Sequence, residues 1–167
     1  IFYDDCEISG EEMLRIVENK EFSRLPGKMP EAAQDAYDTL LHTRDGQLCD
    51  VIIDKAALEA IYAVGQDSED EIIRNYAEST VAIADIKIAV RSQKTGKSME
   101  FMRRAMAECE SISIEQLMKA ALSGMDAIGE YLSGTSYSEG AQALSDSPSA
   151  FERWCDNRMI QTIRPQK

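Results

Sequence analysis

The four prolines of the chain stand only at positions 26, 30, 148 and 165, so residues 31–147 contain none. Because proline breaks a helix interior, a proline-free stretch of this length permits long uninterrupted helices. Alternating runs of β-branched residues, which are typical of strands, are absent. Apolar side chains recur instead at spacings of three and four, the period of an amphipathic helix. The sequence therefore predicts an all-α fold.

Three helix starts are marked by a serine followed, three residues later, by Glu or Gln. These capping boxes lie at 9–12, 68–71 and 113–116. Glycine favours helix C-termini, so Gly65 and Gly96 are predicted to end two long helices. The first predicted helix begins at Ser9. The others cover residues 31–43, 47–64, 69–94, 98–107, 114–121, 125–132, 138–144 and 148–163. The 69–94 helix is the longest. Its second half is apolar on nearly every side, which is typical of a central helix in a bundle.

Three short sequence matches recur in the same order along the chain. The matched pairs are 8–15 with 112–119, 31–34 with 139–142, and 52–61 with 154–163. Because each match lands on the same predicted element, the pattern favours internal duplication. We therefore expect repeated small helical subdomains with long central helices. Residues 1–111 are expected to form one full repeat unit, and residues 112–167 are expected to form the first, truncated part of the next.

Charge is distributed unevenly along a chain whose net charge is −12. This acidity argues against a nucleic-acid-binding module, because phosphate contacts require a basic face. Residues 1–78 hold 19 acidic and 7 basic side chains, whereas residues 79–104 hold six basic and two acidic. Lys87, Arg91 and Lys94 lie on one predicted helix face. That face is interpreted either as a solvated surface paired with the chain's own acids or as a docking surface for an acidic partner.

Other features restrict the function classes. No apolar run is long enough to insert into a membrane, so none is expected to do so. The cysteines, at positions 6, 49, 109 and 155, form no CxxC pair, and we expect reduced thiols and no metal centre. The methionines Met99, Met102 and Met106 recur at helical spacing, and core packing is favoured over an adaptable binding surface.

Candidate catalytic patterns are weak. Residues 95–98 contain the GKS of a phosphate-binding loop, but Arg91 replaces the required glycine and a helix, not a strand, precedes the loop. His42 is the single histidine and suits a helix C-terminus better than catalysis. Asp54 and Asp156 match in the repeat; a carboxylate pair for acid–base chemistry or a repeated structural role both fit. We expect no cofactor.

The order of several segments resembles the C subunit of the V/A-type ATPases (ATP synthases), the counterpart of the d subunit of eukaryotic V-ATPases. The segments are 54–61, 83–91, 96–98, 112–117 and 131–137. The long helix of that family carries a pattern close to Asp-Leu-x-Asn-Ile-(Lys/Arg)-x-x-(Leu/Val)-Arg. Residues Ile86, Lys87 and Arg91 fit that pattern, whereas Ala82 and Asp85 replace its Asp and Asn. The family's Thr-x-Tyr after a Tyr-Leu pair is matched by Thr135 and Tyr137.

The resemblance implies a funnel-shaped, all-helical protein of three similar subdomains, of which this chain covers about half. Such a protein is a socket between the membrane rotor ring and the central stalk, which the D and F subunits form. It transmits torque in a proton- or sodium-translocating complex and does not hydrolyse ATP. It is expected to be peripheral, at the cytoplasmic face of the membrane, with Lys87, Arg91 and Lys94 at a partner contact. The alternative function is a free-standing helical adaptor or regulatory interaction domain, and an enzyme ranks third.

Overall fold

A computed structural model describes residues 6–164, and over that range it contains helices and no strand. The all-α prediction is confirmed. The elements are α1 (Gly10–Asn19), a 3-10 turn (Phe22–Arg24), α2 (Met29–Thr43), α3 (Gly46–Asp67), α4 (Glu71–Thr95), α5 (Met99–Ala105), α6 (Ile114–Ser123), α7 (Met125–Ser133), α8 (Ser138–Asp146) and α9 (Pro148–Ile163). None of the helices in this part of the chain is both long and apolar enough to cross a membrane.

Side-chain caps explain why most predicted helix boundaries agree with the observed ones. Ser9 accepts the Glu12 amide at 3.2 Å, and Ser113 caps α6 in the same way. At the other end of α4, Gly96 adopts a left-handed conformation with φ of 67°, as predicted for a helix end. The predicted cap at Ser68 is wrong. Asp70 caps α4 instead, because its carboxylate accepts the Ile72 amide at 2.8 Å.

Gly65 does not end a helix, which corrects the sequence prediction. Helix α3 continues two residues further, to Asp67. Gly65 lies against Ala77 of α4, and a β-carbon added at Gly65 would overlap the Ala77 side chain. The glycine is therefore required for the close approach of two helices, where a small residue lets the backbones come together.

The chain divides into two compact units, Ile1–Ala56 and Ala57–Lys167. In the first unit, α1 and α2 pack against the 3-10 turn. Ile16 of α1 and Ala36 of α2 are buried there. The ring of Phe22, in the 3-10 turn, lies 6.2 Å from that of Tyr37. The sequence did not predict this turn.

Helix α4 is the centre of the second unit. It packs against α5, α6, α7 and α9. Val81, Ile86 and Ala89 are completely buried on it, which confirms the prediction of a central helix. Met102 and Met106 are also fully buried in this core, as the core-packing interpretation of the methionines predicted.

The matched repeat segments fall on corresponding helices, namely α1 with α6, α2 with α8 and α3 with α9. Gly140 of α8 lies against Trp154 of α9, and the repeat matches them with Ala32 and Ile52. The compact-unit boundary differs from the expected repeat boundary, because α4 and α5 pack with the helices that follow them. The division into repeat units at 1–111 and 112–167 stays a prediction.

Replacing Gly65 by alanine is expected to destabilise the protein by about 1–3 kcal/mol, because the added methyl group overpacks the α3–α4 contact. Gly129→Ala is the matched control, since Gly129 also lies inside a helix but has open space where its β-carbon would be. The control is expected to be neutral or stabilising by up to ~1 kcal/mol through helix propensity. Chemical denaturation of both variants measures the difference. Equal free energies of unfolding would contradict the close-approach role.

Candidate functional site

The basic residues singled out from the sequence lie on α4, and two of them contact α9. Lys87 Nζ is 3.2 Å from a carboxylate oxygen of Glu152, and Arg91 is 3.5 Å from the other oxygen. One acidic side chain therefore bridges two bases one turn apart. Lys94 follows in the last turn of α4 and is exposed. We call Lys87, Arg91 and Lys94 the basic face.

The ion pairs set the charge state of the bridging carboxylate. Partial desolvation alone raises the pKa of Glu152, but the hydrogen bond and charge of Lys87, with a further contribution from Arg91, outweigh it and lower the pKa below its ordinary value. Glu152 is therefore ionised at neutral pH. One negative charge then offsets one of the three positive charges, so the basic face keeps a net positive charge.

A buried carboxylate lies half a turn before the basic face. Asp85 is fully buried, and its Oδ1 accepts the backbone amide of Ala107 at 3.0 Å. Buried carboxylates are tolerated when they are hydrogen-bonded, and this one fixes the connection after α5 to the middle of α4. The position is where the resembled family pattern has Asn, whose side-chain oxygen can accept the same hydrogen bond.

A second carboxylate, Glu78, holds the next part of that connection. Its Oε1 accepts both the amide of Ser111, at 2.8 Å, and the Ser111 hydroxyl, at 2.6 Å. The Ser111 oxygen is hydrogen-bonded to the Tyr137 hydroxyl at 3.0 Å. Arg158 of α9 lies over the Tyr137 ring, 5.0 Å from its centroid. We call this network the Glu78 junction; it joins α4, the α5–α6 connection and the start of α8.

The Glu78 junction shapes the electrostatics around it. Burial raises the pKa of Glu78, but the hydrogen bonds from Ser111 outweigh this and lower the pKa overall. Burial, together with the negative charge of Glu78, raises the pKa of Cys109 and of Tyr62 to about 12 each. Both groups therefore stay neutral at physiological pH. Cys109 lacks the lowered pKa of a nucleophilic cysteine.

A cleft of about 530 Å³ opens beside the Glu78 junction. It lies between the first turns of α4 and the end of α9, and Ile72, Glu78, Tyr137 and Arg158 are among its lining residues. Its polar groups can form hydrogen bonds and ion pairs. Ser111 and Glu78 both line the cleft, and the Ser111 hydroxyl donates to Glu78 at 2.6 Å, while the same carboxylate oxygen also accepts the Ser111 amide. Among residues 6–164, no group of three His, Cys, Asp or Glu side chains is placed to hold a metal ion.

The remaining candidates from the sequence either form local backbone contacts or are exposed. A long helix precedes Gly96, and Ser98 caps α5 through the Phe101 amide at 3.1 Å, so residues 95–98 do not form a phosphate-binding loop. His42 is exposed at the end of α2, with Nδ1 2.6 Å from the Asp38 carbonyl oxygen. Asp54 and Asp156 are exposed on α3 and α9.

The four cysteines are all free thiols. Cys155 is completely buried and Cys6 is exposed. Burial raises the pKa of Cys155 to about 11, so it is a protonated core side chain at neutral pH.

Sequence reasoning missed the acidic residues that organise this region. Glu152 contacts Arg91 and Lys87, which are 61 and 65 positions away in sequence. Glu78 contacts Ser111, which is 33 positions away. Local periodicity carries no information on such pairs. The one signal in the sequence was Glu78 itself, an acidic residue on the long helix close to its apolar half.

Replacing Glu78 by glutamine is expected to destabilise the protein by about 1–2 kcal/mol at pH 7, because charge-assisted hydrogen bonds become neutral ones. The pKa of Glu78 is lower in the folded protein than its unfolded value of 4.5. The ionised side chain therefore stabilises the folded state above pH 4.5, and this stabilisation is lost as the pH falls through the folded pKa. The difference between the wild type and the variant should therefore shrink below about pH 4.5. Denaturant titrations from pH 3 to 7 measure it, with the exposed Glu108→Gln as control. A difference that does not vary with pH would contradict the ionised state of Glu78.

Comparison with known proteins places the chain in a family. A family model described as ATP synthase (C/AC39) subunit matches residues 1–167. No curated protein and no solved structure matches the chain significantly. The family match agrees with the all-α fold and confirms the resemblance seen in the sequence. Since the match spans the whole chain, the protein belongs to the C/AC39 subunit family of the V/A-type ATP synthases.

Proposed function

We propose that this chain is the non-catalytic socket that joins the central stalk, formed by the D and F subunits, to the membrane rotor ring of a V/A-type ATPase. In this position it transmits torque and has no active site of its own. It lies at the cytoplasmic face of the membrane as a peripheral component of the complex. The family supports the assignment to the complex, and the two features that follow support the role within it.

Resistance to deformation is the first supporting feature. A torque-transmitting part must move as one body, and close-packed interiors deform little. Helix α4 runs through the second unit and packs against four other helices. The connection between α5 and α6 is fastened to α4 twice, by Asp85 through the Ala107 amide and by Glu78 through Ser111. These hydrogen bonds fix an irregular segment to the central helix.

The basic face is the observation on which the proposal chiefly rests. Lys87, Arg91 and Lys94 lie along one side of α4 on a protein whose net charge is −12. Glu152 contacts Lys87 and Arg91 and offsets part of their charge. Complementary charge guides association and sets orientation between partners. A net positive, helical surface on an acidic protein therefore suits an acidic surface of the stalk or ring.

Reversal of the basic face tests its role in assembly. Changing Lys87, Arg91 and Lys94 to Glu, together with Glu152→Lys, keeps opposite charges at the α4–α9 contact while inverting the outward charge. We expect about a tenfold or greater loss of affinity for the stalk and ring subunits, and a weaker dependence on salt. Helicity should not change. Affinity is measured by co-purification and by titration at several salt concentrations.

Lys119→Glu is the matched control for this experiment. Lys119 and Arg91 have the same side-chain exposure, 67%, and Lys119 pairs with Glu115 at 3.6 Å, close to the Arg91–Glu152 distance. The control should assemble as the wild type does. Wild-type affinity in the charge-reversed variant would remove the basic face from the interface. Failure of the wild type to co-purify with any stalk or ring subunit would instead favour the free-standing adaptor.

A further inference from the structure

The cleft beside the Glu78 junction is lined by side chains of opposite charge. Glu71 and Glu78 line it from α4. Arg158 of α9 and Arg164, which directly follows α9, line it from the end of that helix. Among residues 6–164, these side chains form no ion pair with one another. Opposite charges that share a cleft without pairing favour a ligand that carries both charges.

The size of the cleft suits a small molecule. Its volume of about 530 Å³ falls within the range of roughly 300–1,000 Å³ that is typical of ligand sites. Ile72 of α4 is 49% exposed and is part of the lining. It offers an apolar contact for a short carbon chain between two polar groups of a ligand.

The side formed by the end of α9 is rich in hydrogen-bond donors. Arg158 lies over the Tyr137 ring, 5.0 Å from its centroid, and this contact helps to hold the guanidinium in place. Arg164 and Ser136 are exposed and line the same cleft. A guanidinium presents a fork of N–H donors, and the serine hydroxyl adds another donor. A phosphate monoester has three acceptor oxygens, against two in a carboxylate, and therefore matches this side better.

The side formed by α4 suits a primary amine. Glu71 is in the first turn of α4, and Asn75 follows one turn later on the same helix face. Both side chains are exposed and line the cleft. The Oε1 atom of Glu78 already accepts two hydrogen bonds from Ser111. The Glu71 carboxylate is therefore the acceptor that a ligand ammonium group would meet, with the Asn75 side-chain carbonyl on the same face.

We propose that this cleft binds a small zwitterion in which a primary amine and a phosphate monoester are joined by a two-carbon spacer, as in O-phosphoethanolamine. The phosphate meets Arg158 and Arg164, and the ammonium group meets Glu71. A spacer is needed because the acidic and basic side chains of the cleft lie beyond ion-pairing distance of each other. The cleft involves the first turns of α4, whereas the basic face lies in its second half. The proposal therefore holds whether or not the basic face contacts the stalk or ring.

Calorimetric titration of the full chain with O-phosphoethanolamine tests the proposal. We expect saturable binding to one site, and binding of inorganic phosphate or of ethanolamine that is about tenfold or more weaker, because each satisfies one side only. Arg164→Gln should lower the affinity for O-phosphoethanolamine about tenfold or more, because a charge-assisted contact to the phosphate is lost. Arg153→Gln is the matched control, since Arg153 is an exposed arginine of α9 outside the lining of this cleft. It should bind as the wild type does.

Substitution of Glu71 tests the amine contact separately. Glu71→Gln should weaken the binding of O-phosphoethanolamine to about the level of inorganic phosphate, without weakening the binding of inorganic phosphate itself. Glycerophosphoethanolamine distinguishes two sources of the same chemistry, because its phosphate is a diester, as in a lipid headgroup. With one acceptor oxygen fewer, it should bind more weakly than the monoester.

The proposal would be overturned if the wild type showed no saturable binding of O-phosphoethanolamine, or if Arg164→Gln and Arg153→Gln lost affinity equally. An undiminished preference of Glu71→Gln for O-phosphoethanolamine over phosphate would also overturn it. Equal or tighter binding of the diester would contradict the monoester and identify a lipid headgroup as the ligand.

Discussion

The structure of the second unit depends on the burial of α4. The apolar sides of α4 must be covered, and four helices pack against it. Two carboxylates of this helix, Asp85 and Glu78, are buried or half-buried. Each needs hydrogen-bond donors, because little water reaches it. The backbone amides of Ala107 and Ser111 supply them. The path of the α5–α6 connection follows from these two requirements.

Helix α4 also determines where a positively charged surface lies. Residues on the outer side of α4 remain accessible, and there the sequence places Lys87, Arg91 and Lys94. Burial of the apolar sides fixes the direction in which these bases point. Glu152 of α9 reduces their charge without cancelling it. A rigid interior and a defined charged surface therefore have one physical origin, and both suit a protein that links other parts of a rotary complex.

Local signals predicted most of the fold, and long-range contacts account for what they missed. Proline placement and serine caps located the helices to within a few residues, because these signals act over one turn. Gly65 was misassigned since a glycine near a helix end and a glycine at a helix contact look identical in sequence. Similarly, the basic face was visible from its spacing, but the bridging Glu152 was not. Its pairing depends on how α9 packs against α4, which helix periodicity does not encode.

Whether this chain is the socket between stalk and ring is tested most directly by an electron cryomicroscopy map of the assembled V/A-type ATPase that contains it. The map should show α4–α9 at the junction of the central stalk and the rotor ring, with Lys87, Arg91 and Lys94 against an acidic surface of a neighbouring protein. A map in which the chain lies away from that junction, or in which the basic face meets only solvent, would contradict the proposed role.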